Sequence, residues 1–415
     1  MPTTHAEPQG PFALQAEGVL RNVRTAFVEV LDSLPTPVTR AHEVSKALEI
    51  DKKLGWRIYK LIHTPDVFAA AEHVPGPAGV QILLSAARRA QVPRERIDAV
   101  KSAISEFSRL TRVHAGDRAT LEMMLAACAQ NGQDRVELSH RRAAFRANSY
   151  FCGVQARTQL KADFLNPAAA PGMLDIASLR GFIGLRRIRA NVPWVIARAR
   201  CIDNDGQARR QFQRAALDPR ATGNDVPLLH DFCSKPLPKF RRMVSAHGFL
   251  DDEIADGPIG KTAAITCVTG EVSRLVASYY RDPHNEQGEL LARMRTPSEA
   301  LVFDQIVHES LFGRIAPELL VFSELSSAAP YPTPGHNRLV IPVCESVSYL
   351  GKGPGVLHVA EAPRYAEMAR YVFQRLGWDG ERFDVYRVRM LFPPIPTSIV
   401  MRHKLPARPE DGRSP

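Results

Sequence analysis

A short segment of the chain carries several cations and one indole ring at spacings that share one side of a helix. These residues are Lys52, Lys53, Trp56, Arg57 and Lys60. Apolar residues fall on the opposite side at i, i+4 and i+7, as Leu54, Ile58 and Leu61, so that side is expected to pack inward. Cations on a short helix contact phosphates, and arginine also reads guanine edges in the major groove. The pattern therefore predicts a helix that binds duplex DNA.

The residues before this helix predict a second, shorter one. In TPVTRAHEVSKALEIDKKLGWRIYKLI, one helix is expected over about 40–49 and the next over 52–63. Thr39 is expected to cap the first helix through its hydroxyl, and Asp51 to cap the second. Ile50 would fill the turn. Arg40, at the start of the first helix, adds a sixth residue to the predicted DNA-binding set.

The segment over 36–62 resembles the helix-turn-helix of bacterial transcriptional regulators. Val44-Ser45 matches the apolar and small pair of the first helix, and Glu49-Ile50 takes the place of the glycine and apolar residue at the turn. Glu49 departs from the glycine, at a cost of about 1 kcal/mol if the turn is left-handed. The resemblance implies a DNA-binding regulator whose recognition helix, residues 52–62, enters the major groove. A homodimer would place two such helices one DNA turn apart.

Other interpretations of this segment stay open. Two ordinary helices with a solvated basic face would suit a structural or scaffolding protein. The amphipathic segment over 12–34 fits either a dimer contact or packing onto its own domain. TPDVFAAAEH, which follows the basic helix, has a helical pattern, so no β-hairpin wing is expected.

The net charge of +10 belongs to the first part of the chain. Residues 1–150 hold 20 Lys and Arg against 16 Asp and Glu, residues 151–250 hold 16 against 7, and the remainder holds 18 against 21. A one-sided positive charge attracts polyanions such as nucleic acid. Two further basic groups are either phosphate contacts or solvated faces. They are Arg141, Arg142 and Arg146, and Arg186, Arg187 and Arg189.

A chain of 415 residues is expected to hold more than one domain. Periodicity predicts an almost entirely helical domain over 1–165, containing the helix-turn-helix at 39–62, and a boundary at NPAAAPG, residues 166–172. Over 173–405 one more helix, at 175–189, precedes a series of short strand patterns and a helix ending at Gly377. The predicted strands are 192–202, 261–272, 274–280, 300–309, 318–325 and 338–347 before that helix, and 383–391 and 397–405 after it. This predicts an α+β domain with a largely antiparallel sheet, for oligomerisation or an effector, before a disordered tail at 406–415.

A relaxed phosphate-loop pattern, ADGPIGKT at 255–262, leaves an enzyme as a further alternative. Gly260, Lys261 and Thr262 would hold a nucleotide only if a buried strand led into the loop and a helix followed it. The β-branched segment AAITCVTGEV follows instead, which favours a turn entering a strand. His308-Glu309 has no second histidine at zincin spacing.

Composition favours a cytoplasmic protein. The six cysteines lie far apart in sequence, so neither a CxxC zinc site nor a redox pair is expected, and no metal or cofactor is predicted. No apolar run approaches the length of a membrane span, and the first residues lack a secretory signal. The expected partner is double-stranded DNA, with no membrane and an effector that the sequence does not identify.

Overall fold

The computed structural model divides the chain into two compact units, Met1–Glu137 and Leu138–Pro415. It describes residues 11–129, 133–190, 192–199, 213–222, 226–244, 250–255, 257–283, 286–325 and 339–408. The units divide upstream of 166–172, where a boundary was predicted; that segment instead connects two paired strands. The predicted order, a helical part followed by a sheet part, is confirmed.

The first unit is built from helices. They are α1 (Pro11–Asp32), α2 (Ala41–Leu48), α3 (Lys52–His63), α4 (Val67–Ala70), α5 (Pro77–Arg89), α6 (Arg94–Leu110) and α7 (Arg118–Cys128). A 3₁₀ turn, Ala71–His73, extends α4, and a π-helical turn, Thr111–Ala115, extends α6. The next helix, α8 (Gln133–Cys152), crosses into the second unit. Within the described ranges, no helix combines the length and the apolar character that a membrane crossing needs.

The predicted helix over 12–34 packs into the core of its own unit. Leu20, Val23 and Phe27 are almost fully buried along one face of α1, in the same core as residues of α3, α5 and α6. This face is not free to form a dimer contact. Burying such side chains contributes about 2 kcal/mol each, so α1 anchors the helical unit.

The second unit is built mainly from strands. They are β1 (Val154–Pro167), β2 (Leu174–Arg187), β3 (Trp194–Ala199), β4 (Gln213–Ala216), β5 (Phe240–Val244), β6 (Leu250–Ile254), β7 (Ile265–Arg274), β8 (Gln287–Met294), β9 (Ser298–His308), β10 (Glu318–Ser323), β11 (Ser348–Lys352), β12 (Phe383–Leu391) and β13 (Thr397–Lys404). One helix of this unit, α9 (Tyr365–Leu376), ends at Gly377 in the left-handed conformation, as the sequence predicts.

The strands of the described residues form three sheets. The largest has the order β11-β12-β9-β1-β2-β7-β4, and its pairs are antiparallel except β1 with β9. The sheet β10-β13-β8 packs on one face of it, and α9 packs on the other. The small sheet β3-β6-β5 packs near β2 and β7 through Ile254, Phe182 and Cys267. The largely antiparallel α+β prediction is confirmed.

Two segments predicted as helices are strands. Residues 154–165 and 175–187 form β1 and β2, so the helical region ends at Cys152 and does not reach 165. Leu160 and Phe164 are spaced at i and i+4, which also fits a helix, but both point from β1 into the core beneath α9. Pairing on both sides of β1 decides its conformation.

Two predicted strands do not form. Residues 275–280 lie in a loop with an isolated bridge at Ser278, and residues 339–347 make only the bridge between Val340 and Phe322. Pro342 has no N–H to donate to a neighbouring strand, which explains why 339–347 does not form a strand. Residues 409–415 of the predicted tail lie outside the described residues.

An uncharged histidine lies between the largest sheet of the second unit and the sheet β10-β13-β8. His403 on β13 is 5% exposed, and its Nδ1 lies 3.2 Å from the Gln305 amide nitrogen of β9. The Phe312 ring packs against it at 4.6 Å between centroids. Burial lowers the pKa of His403 to about 4, because the imidazolium loses its hydration in the interior.

This burial predicts an acid-sensitive second unit. The folded pKa of His403 lies below its unfolded value of 6.5, so its contribution is complete above pH 6.5 and is lost as the pH falls toward 4. The difference between the folded and unfolded pKa values of His403 corresponds to about 3 kcal/mol of unfolding free energy. In urea unfolding followed by circular dichroism, His403→Leu is expected to flatten the pH dependence of the unfolding free energy in that window. Equal pH dependence in the variant and the parent would contradict it.

Candidate nucleic-acid interface

A three-residue turn joins α2 to α3. Glu49 adopts the left-handed conformation, with φ 53° and ψ 47°, at the position where the sequence predicted a strained turn. The N–H of Ile50 donates to the carbonyl of Ser45 at 3.0 Å, which closes the end of α2. Asp51 then caps α3 by accepting a hydrogen bond from the N–H of Lys53 at 2.8 Å. The predicted cap at Asp51 is confirmed.

The start of α2 differs from the prediction. Arg40 is the residue before the first turn, and the carboxylate of Glu43 accepts hydrogen bonds from the N–H groups of Arg40 and Thr39. The Thr39 hydroxyl donates to the same carboxylate at 3.1 Å and does not cap the helix itself. These donors lower the pKa of Glu43, the backbone N–H of Thr39 contributing most. The capping carboxylate therefore stays ionised at neutral pH.

The inward face of α3 packs tightly against α2. Ile58 and Leu61 are almost fully buried, as the i, i+4, i+7 pattern predicts. Gly55 is the closest point: an added Cβ would lie 2.1 Å from Ser45 Oγ and 2.9 Å from Ser45 N. Only glycine fits this crossing without displacing a helix. The contact sets how α3 is rotated, and with it which residues face solvent.

The outward face of α3 presents most of the predicted residues to solvent. Lys52, Lys53 and Lys60 are exposed, and so is Arg40 at the start of α2. The Trp56 side chain is 47% exposed, which is unusual for an indole in a folded unit. The five helix residues therefore share a surface, and α3 buries the opposite side. This surface, with Arg40, is called the α3 surface below.

The α3 surface borders the short 3₁₀ turn that follows α4. The Trp56 ring meets the His73 ring edge-on at 5.4 Å, and Lys60 Nζ lies 5.9 Å from the Trp56 ring centre. Arg57 is half-buried, and its Nη2 donates to the carbonyl of Glu72 at 3.1 Å. Burial lowers the pKa of His73, so the imidazole is neutral at neutral pH. Four cations and the indole stay available to a partner, and Arg57 is held in place by the backbone.

One arginine from each of the other two basic groups has a structural partner. Arg187 is buried, and its guanidinium donates to the carbonyls of Val192 and Ile254. Arg141 forms a bidentate ion pair with Glu345, and both residues belong to the second unit. Neither arginine is placed as an exposed phosphate contact.

The segment over 255–262 does not have the geometry of a phosphate loop. Lys261 and Thr262 are exposed on a one-turn 3₁₀ helix, Lys261–Ala263, and the chain then enters β7. A phosphate loop needs the N-terminus of an α-helix to hold the phosphates. The alternative of a nucleotide site at Gly260, Lys261 and Thr262 therefore does not fit this geometry, and the turn entering a strand, which the sequence favours, is the arrangement that forms.

One polar cluster escaped the sequence prediction. Lys161 and Asp163 of β1 and Ser178 of β2 contact each other inside the second unit. Their alternation with buried apolar residues is a strand signal, but it was hidden by the helical spacing of Leu160 and Phe164. Elsewhere in the described ranges, no group of three His, Cys, Asp or Glu side chains is arranged to hold a metal ion.

Comparison of the chain with protein-family models, curated proteins and solved structures returned no match. Its role is therefore inferred from the residues of this chain alone. In the first unit these are the exposed cations and indole of the α3 surface and the packing that orients them.

The crossing at Gly55 gives a stability test with a matched control. Gly55→Ala removes a helix-destabilising glycine but overpacks the contact with Ser45, so a net loss of about 1–3 kcal/mol is expected. Gly18→Ala, on the exposed side of α1 with nothing within 4 Å, is expected to gain up to about 1 kcal/mol. Urea unfolding of both variants measures the difference. Stabilisation of similar size at both sites would mean that α2 and α3 do not approach closely.

Proposed function

We propose that this protein is a DNA-binding transcriptional regulator whose α3 enters the major groove. The observation that carries the proposal is the α3 surface itself: exposed Lys52, Lys53 and Lys60 around a half-exposed Trp56, on a helix whose other face is buried. A helix of this width fits the major groove, where lysines contact phosphates and fix the register. Arg57 donates to the Glu72 carbonyl through one nitrogen, and its other guanidinium donors would read base edges.

The connection between α2 and α3 supports the same proposal. Helix-turn-helix motifs join two helices through a turn of three or four residues, often with a glycine. Here the turn runs from the left-handed Glu49 to the capping Asp51. Glu49 supplies the conformation for which glycine is usually needed. The short helices after α3 continue the helical fold, so this DNA-binding motif would have no β-hairpin wing.

The charge next to the α3 surface affects how strongly it would attract DNA. The Glu72 carboxylate lies 3.2 Å from the neutral His73 and is well exposed. It places one negative charge beside the cations. Repulsion between Glu72 and phosphates would weaken non-specific association, which favours discrimination between sites over indiscriminate binding.

Loss of two lysines is expected to change the salt dependence of DNA binding. Fluorescence anisotropy would follow the full chain on a labelled mixed-sequence duplex two helical turns long, between about 50 and about 200 mM NaCl. Each lost phosphate contact lowers the slope of log K against log salt by about one, so Lys52→Gln/Lys53→Gln is expected to lower it by about two. Glu72→Gln is expected to tighten binding.

The matched control removes two exposed cations from other elements of the first unit. Arg109→Gln/Arg112→Gln, at the end of α6 and in the π-helical turn, is expected to leave the slope unchanged. The proposal fails if both double variants change the slope equally, or if no complex forms at low salt.

Selection from random duplexes should also enrich one sequence. Equal recovery of all sequences would favour a basic scaffolding protein over a regulator.

A further inference from the structure

The second unit contains a cavity of about 710 Å³ on the face of its largest sheet that lies opposite α9. Its floor is formed by β1, β2 and β7, and its walls by β3 and β8. The apolar lining includes Trp194, Ile196 and Leu291. Cavities of this size, mostly apolar with a few converging polar groups, are typical of small-molecule sites. The opposite face of the same strands packs beneath α9, so the cavity is confined to one side.

The floor of the cavity carries two cross-strand pairs of polar side chains. Asp163 of β1 stands opposite Ser178 of β2, and Lys161 stands opposite Arg180. Ser178 Oγ donates to Asp163 Oδ1 at 2.5 Å, and Lys161 Nζ donates to the same oxygen. Lys161 and Asp163 are both more than nine-tenths buried. Burial lowers the pKa of Lys161, and the Asp163 carboxylate beside it opposes this effect.

Placing Lys161 directly opposite Arg180 is unfavourable in itself. Like charges at directly opposed positions of an antiparallel pair destabilise a sheet. Asp163 compensates Lys161, and Glu271 lies 3.4 Å from Arg180, but the Arg180 side chain remains 47% exposed. An exposed ion pair of this kind contributes little and rearranges at low cost. Two neighbouring cations on a cavity floor are an arrangement that an added anion would stabilise.

The charged side chains that line the cavity include more cations than acids. The lining cations are Lys161, Arg180, Arg293 and Arg295, and the lining acids are Asp163 and Glu289. The balance is positive although several of these groups have ion-pair partners, such as Glu324 for Arg295. Low-dielectric walls strengthen the attraction of such a site for a negative charge.

We propose that this cavity binds a small organic anion, a carboxylate with an aromatic or aliphatic body. The carboxylate would lie over Lys161 and Arg180, where the Ser178 hydroxyl can turn to donate a hydrogen bond. The apolar body would pack against Trp194, whose Nε1 is already satisfied by Thr296. This site is independent of the proposed DNA binding, which concerns the other unit.

Isothermal titration of the full chain with 1-naphthoate and with its neutral analogue 1-naphthamide tests the proposal. Both probes carry the same apolar body, so the difference isolates the charge. Naphthoate is expected to bind about tenfold more tightly, as charge-assisted hydrogen bonds imply. Arg180→Gln is expected to weaken naphthoate about tenfold and to leave naphthamide unchanged. Arg370→Gln, an exposed cation on α9 beyond the opposite face, should change neither affinity.

A second variant guards against a misfolded chain. Lys161→Met/Asp163→Asn removes the buried pair together, so no unpaired charge is left, and it should abolish the preference for naphthoate. The proposal is overturned if neither probe binds at millimolar concentration, if both bind equally, or if Arg180→Gln and Arg370→Gln behave alike. These outcomes are independent of the fluorescence anisotropy experiment, because that experiment measures DNA contacts made by α3 in the first unit.

Discussion

The close approach of α2 and α3 at Ser45 and Gly55 determines what the first unit can present to a partner. At the crossing there is no room for a Cβ on Gly55, so the two helices meet in one rotational setting. In that setting Ile58 and Leu61 enter the core and the lysines of α3 face solvent. The left-handed Glu49 and the Asp51 cap fix the point at which α3 begins. The α3 surface therefore follows from packing.

The second unit depends on a different constraint, a central strand that has two different faces. The even-numbered side of β1, with Leu160 and Phe164, packs beneath α9. The odd-numbered side carries Lys161 and Asp163 into the cavity. Because the side-chain period of a strand is two, a slip of one residue would exchange these faces and bury the charges under the helix. Pairing with β2 and β9 on both sides holds the register that keeps the cavity polar at its floor.

Much of the first unit could be predicted from sequence because its signals are local. The helices over 41–48 and 52–63, the Asp51 cap and the inward face of α3 depend on residues a few positions apart. The capping of α2 was harder to predict, because the Glu43 carboxylate accepts hydrogen bonds from the N–H and the hydroxyl of Thr39, and that hydroxyl therefore does not cap the helix. The contact of Arg57 with Glu72 and of Trp56 with His73 depends on where a later turn packs, which spacing does not reveal.

The second unit was predicted less well because long-range pairing overrides local preference. β1 and β2 contain residues spaced for a helix, and only their partners across the sheet decide the strand conformation. The cross-strand position of Lys161 and Arg180 joins residues far apart in sequence, so the cavity had no local signal. Strands such as β7, β9, β12 and β13, which are rich in β-branched or aromatic residues, were correctly predicted.

Trp56 reports directly on whether the solvent-facing side of α3 contacts duplex DNA. The chain has three tryptophans, so Trp194→Phe/Trp378→Phe leaves Trp56 as the one fluorophore of its kind. Acrylamide quenching of this variant, with and without saturating duplex at low salt, measures whether DNA covers the indole. If α3 binds DNA as proposed, bound DNA shields Trp56 and lowers its quenching constant. An unchanged constant under conditions in which the complex is fully formed would contradict it.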